Sequence, residues 1–172
     1  MSRKINVLEI ARAQLSTFQG YARRTLLGDL ATFLGLPVAV GIAAAFFAPP
    51  VHSVGGLLTG ASVFSGLLVA LLVNIFNFSV KVRRDEKVRP EEKLARTVDE
   101  LLTNAAWTVL VGLTLVVLLA VASATQEPSK PLDQVWVGTL AGFSAYLVLN
   151  ILMVLSRIWT AHEDIKDLPP KK

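Results

Sequence analysis

Residues 56–80 read GLLTGASVFSGLLVALLVNIFNFSV, a stretch free of Lys, Arg, Asp and Glu, and the next four residues are Lys81, Val82, Arg83 and Arg84. About 20 apolar residues are enough for a helix to cross a hydrocarbon core roughly 30 Å thick. A soluble core helix of this length would carry charge along one face, and this stretch carries none. Three further runs behave alike: Leu30–Ala48, Ala105–Ala124 and Val135–Ile158, where the first charge is Arg157. The expected fold class is an all-α membrane protein with four transmembrane helices arranged as two antiparallel hairpins.

The cations orient these runs. Of 17 Lys and Arg, five lie in residues 1–29, seven in the loop 81–104 and four in the tail from 157, which leaves Lys130 alone in the two other loops. An excess of Lys and Arg marks the cytoplasmic side, so both termini and the central loop are expected there. The same rule accounts for the net charge of +4, which in a soluble chain would suggest nucleic acid. The localisation that follows is a multi-pass membrane protein with both termini cytoplasmic and no nucleic-acid partner.

The expected organisation is a cytoplasmic or interfacial segment 1–29, a transmembrane domain 30–158 that includes the loop 81–104, and a short tail 159–172. A long polar lead argues against a cleaved secretory signal. In that lead Leu8, Ala11, Leu15, Phe18, Ala22 and Leu26 recur at helical spacing, giving an amphipathic helix suited to a headgroup region or to the mouth of the bundle. Gly28-Asp29 is a candidate break and cap before the first span. Pro37 and Gly41 predict a kink within it. In the central loop Pro90-Glu91-Glu92 reads as a helix start, and Leu94, Val98, Leu101 and Leu102 form an apolar stripe leading into span three.

Catalysis requires nucleophiles, acid–base groups or metal ligands brought together, and the spans hold no acid, His or Cys. His52 stands alone in a loop, and consecutive His162, Glu163 and Asp164 do not share a helix face. No enzyme, cofactor or metal is expected. Ion-coupled transport normally places an ionisable group inside the membrane, which disfavours it here.

What remains in the spans is small or uncharged and polar. Thr59, Ser62, Gly66, Ala70, Asn74 and Asn77 follow one another at three or four residues on span two, as do Gly138, Gly142, Tyr146 and Asn150 on span four. Small residues admit close helix approach, and Asn hydrogen-bonds between helices in lipid. The two stripes either hold the bundle together or form a polar seam or oligomer interface. A shift of 76 residues lays Gly66 on Gly142, Asn74 on Asn150, Ile75 on Ile151 and Lys81 on Arg157, the pattern a parallel repeat would leave. Lys81, Arg83, Arg84, Lys87 and Arg89 serve as a topology anchor or as a contact for anionic lipid or an acidic partner.

The run Leu152–Trp159, the Asn-bearing end of span two at Asn74–Lys81 and the charged entry to span three together resemble small four-pass bacterial membrane proteins found near mobile elements and anti-phage systems. That resemblance implies disruption of the membrane on a trigger. The expected function is therefore a non-enzymatic membrane protein, a homo-oligomer in contact with lipid, that perturbs or gates the membrane when a cytoplasmic signal or protein partner engages it. The alternatives are an anchor or scaffold that recruits a partner through its cytoplasmic helices, and a holin-like lysis protein.

Overall fold

The computed structural model describes the backbone of residues 23–84, 93–127 and 129–166, and side chains within 33–84, 97–127, 129–160 and 162. It is all-helical over these residues: α1 (Arg23–Phe47), α2 (Gly55–Arg84), α3 (Lys93–Thr125) and α4 (Gln134–Lys166). At 1.5 Å per residue α2, α3 and α4 reach about 45–50 Å, longer than a hydrocarbon core, so their charged ends project beyond it. These three helices are long and apolar enough to cross a membrane, and α1 contributes a shorter apolar segment, Phe33–Phe47.

Two boundaries differ from expectation. The backbone of α1 runs unbroken through Gly28-Asp29, where a break was expected. A glycine inside a helix costs about 1 kcal/mol, too little to outweigh the backbone bonds a break would forfeit. The loop helix and span three are likewise one continuous element, α3. Its stripe is buried at Val98 and Leu101, which pack beside Val82 and Ile75 of α2. The amphipathic segment before residue 23, the start at Pro90–Glu92 and the tail beyond 166 lie outside the described residues.

Three interfaces dominate: α2 with α3, α3 with α4, and α4 with α1. The helices therefore form a row, α2–α3–α4–α1, in which α1 packs on α4 rather than on its sequence neighbour α2. Each adjacent pair is antiparallel. Ser65 lies by Gly112 while Arg83 meets Asp99, and Trp107 meets Tyr146 while Glu100 meets Arg157. As the central helix α3 is 44% buried in its most apolar window, against 11% for the edge helix α2. Because lipid is as apolar as leucine, the exposed leucines and valines carry no penalty there, and close packing selects the contacts instead.

At the end away from the cations the two loops are tied together. Leu132 N donates to Val51 O at 2.7 Å and Gln126 Nε2 donates to His52 O at 2.9 Å. Val54, 1% exposed, plugs this end of the core. The loops thus connect the edge pair α1–α2 to the central pair α3–α4 although α1 and α2 share no large interface.

Candidate functional site

The α1–α4 interface is a backbone contact. A Cβ on Gly41 would lie 2.8 Å from Gly138 O, one on Gly138 would lie 2.8 Å from Gly41 O and 2.9 Å from Ala45 Cβ, and one on Gly142 would lie 3.1 Å from Pro37 O. Only hydrogen fits at Gly41 and Gly138, and Gly142 is tight. Pro37, expected as a kink, is buried at this contact, and its carbonyl faces Gly142. Close approach of this kind brings many weak dispersion contacts into range, which is what holds helices together in lipid.

Below it, α3 and α4 share a polar layer. Trp107 Nε1 donates to Tyr146 Oη at 3.0 Å, and Thr108 Oγ1 donates to Asn104 O at 2.8 Å. Asn104 and Asn150 are both 0% exposed. The antiparallel register set by Trp107–Tyr146 and Glu100–Arg157 puts these two amides at one level between those rungs. Asn150 Nδ2 donates to Tyr146 O at 2.8 Å within its own helix. Asn150 Oδ1 and both amide atoms of Asn104 have no partner among the described residues. Asn104 is a residue that sequence reasoning passed over, because it stands one position before the charge-free run begins.

The polar stripe of α2 has the opposite surroundings. Its buried face is Ser65, Leu68, Ile75, Ser79 and Val82. At 100° per residue, Thr59, Ser62, Gly66, Ala70, Asn74 and Asn77 centre on the direction opposite to that face. All six are exposed, and a Cβ on Gly66 would meet nothing within 4 Å. Thr59 and Ser62 return their hydroxyls to Gly55 O and Leu58 O one turn earlier, as membrane hydroxyls commonly do. Asn74 and Asn77 lie about 10 Å and 6 Å along the helix from Lys81. The structure does not bring the two stripes together: Gly138, Gly142, Tyr146 and Asn150 face α1 and α3, while the α2 stripe faces outward.

Two ion pairs mark the charged end, both supplied by neighbouring acids of α3. Asp99 Oδ1 meets Arg83 Nη2 at 2.6 Å, with the side chains 50% and 65% exposed. Glu100 Oε2 meets Arg157 Nη1 at 2.9 Å with both side chains more than two-thirds covered. Arg83, a candidate lipid contact, is thus engaged with α3. Lys81 and Arg84 are exposed, and Lys87 and Arg89 lie outside the described residues.

Two apolar grooves open along the row. One of about 830 Å³ runs between α1, α3 and α4 past Trp107 and Tyr146, and one of about 530 Å³ runs between α2, α3 and α4. No cluster of three or more His, Cys, Asp or Glu suited to a metal occurs among the described residues. Comparison with family models, with curated proteins and with solved structures gives no match.

Proposed function

We propose that this chain is a four-span protein of a bacterial inner membrane, with both termini cytoplasmic, that self-associates through the outward face of α2 and perturbs or gates the membrane when a cytoplasmic signal or partner engages its charged end. The cation asymmetry supports the orientation. The antiparallel packing of α1 along α4 supports a fourth span beside the three longer ones.

The observation that carries the reading is the position of Asn74 and Asn77. An amide left unpaired in hydrocarbon costs several kcal/mol. On the face away from α3, no helix among the described residues covers these two. A second copy supplies matching amides, and Gly66 and Ala70 let the two backbones approach. Interhelical bonds of this type are worth on the order of 0.6 to 2 kcal/mol each, sufficient for reversible association. Assembly through α2, at one edge of each row, leaves the rest of the row free to face lipid or an aqueous lumen.

The test is induction of the protein alone while growth and entry of a membrane-impermeant dye are followed. High-level induction is expected to drive assembly by mass action without the trigger, so wild-type protein admits dye, and Asn74→Leu/Asn77→Leu is expected to lose that effect at equal abundance. Dye entry unchanged by the double substitution contradicts the role given to the stripe. Self-association through α2 with membranes that stay tight favours the scaffold reading instead.

A further inference from the structure

A pocket of about 450 Å³ lies on α4 beside Phe33 of α1, at the charged end of the row. Its α4 lining is Leu149, Leu152, Met153, Ser156, Arg157 and Thr160. These positions share one helix face over about 16 Å and divide by depth. The inner half is apolar, with Phe33 opposite; the outer half offers a hydroxyl at Ser156 and the guanidinium of Arg157. Arg157 is the first charge on α4, so the division coincides with the hydrocarbon–headgroup boundary.

We propose that this pocket binds one anionic phospholipid of the leaflet at the charged end, its phosphate against Arg157 and Ser156 and an acyl chain along Leu149, Met153 and Phe33. A guanidinium has five N–H donors, and the Glu100 contact is made through Nη1, so donors remain for a second anion. The pair with Glu100 holds the side chain in place, which reduces the ordering cost of binding. Among residues with described side chains, this end carries four cations (Lys81, Arg83, Arg84, Arg157) against two acids (Asp99, Glu100), so the local field favours an anion. A free phosphate would use only the outer half, whereas a lipid uses both halves. The site rests on the membrane reading alone and is independent of self-association at α2.

The experiment is native mass spectrometry of the full chain in non-ionic detergent, titrated with phosphatidylglycerol or phosphatidylcholine of identical acyl chains. One phosphatidylglycerol is expected to be retained about five-fold more strongly than phosphatidylcholine, the effect of one cation near an anionic headgroup. Arg157→Gln removes the preference, and Glu100→Gln, which also breaks the helix–helix pair, keeps it. Should Arg157→Gln misfold, Glu100→Gln/Arg157→Gln removes both charges of the pair together and is expected to fold without the preference. Met153→Asn weakens both lipids alike. Preference retained in the Arg157 variants overturns the site, as does equal binding of the two lipids. Displacement of phosphatidylglycerol by millimolar inorganic phosphate as readily as by lipid overturns the lipid assignment.

Discussion

The α2 and α4 stripes carry similar letters in opposite settings. Gly66 and Asn74 on α2 correspond, 76 residues on, to Gly142 and Asn150 on α4. Gly142 lies against the carbonyl of Pro37 and Asn150 is fully buried, whereas a Cβ on Gly66 would meet nothing among the described residues and Asn74 is exposed. The difference lies in the neighbours, because α4 is flanked by α1 and α3 whereas α2 sits at an edge. On α4 the small and polar stripe lies in close contact with its neighbours, and on α2 the same kind of stripe is the face proposed to meet a second copy. The chain's own topology decides whether that contact is made internally or is left for another molecule.

The contrast is sharpest at the glycines. Gly138→Leu is expected to lower stability by about 1–3 kcal/mol or to detach α1, because its Cβ would collide with the backbone of Gly41. Gly66→Leu is expected to leave the unfolding temperature of the monomer unchanged while weakening association. Thermal unfolding in mild detergent, followed by tryptophan fluorescence, distinguishes the two. Equal effects would erase the distinction between stripes.

The asparagines give the next largest effect, with reversed sign. Asn104→Leu is expected to stabilise the monomer by about 1–3 kcal/mol, since it removes a buried amide that lacks a partner. Asn74→Leu is expected to be neutral in the same assay. Destabilisation by Asn104→Leu would show that the amide is satisfied in the folded protein.

Smaller differences separate the two ion pairs. Asp99→Ala breaks an exposed pair and is expected to cost under about 1 kcal/mol, fading with salt. Glu100→Ala breaks a mostly covered one and is expected to cost more and to respond less to salt. The Trp107–Tyr146 bond contributes on the same scale. Tyr146→Phe and Trp107→Phe are each expected to cost about 1 kcal/mol, and the double variant less than their sum, as a double-mutant cycle would record.

The apolar membrane-type character and the helical content were legible in the sequence, because bilayer thickness and the cost of charge in lipid act locally on the chain. The partner of each helix was not. Hydropathy is nearly uniform around α1, and nothing in it distinguishes α4 from α2 as its neighbour. The contact depends instead on Gly41 meeting Gly138 and Gly142, three glycines that match only once the register is known. Asn104 stands just outside the charge-free run that begins at Ala105, while the helix enters from Lys93 without a break. The acids just before it held a signal: Glu100 pairs with Arg157, and that register aligns Asn104 with Asn150. The α2 stripe was visible as a face, but only the packing of Ser65, Leu68 and Ile75 on the other side shows which way it points.

The chain contains no cysteine, so single-cysteine variants can be cross-linked without background. Asn77→Cys on α2 and Val148→Cys on α4 both replace residues that are exposed in the monomer. In native membranes treated with a short thiol cross-linker, Asn77→Cys is expected to give a covalent dimer in high yield and Val148→Cys little or none. Equal yields at the two positions, or cross-linking at Val148→Cys alone, would contradict self-association through the outward face of α2.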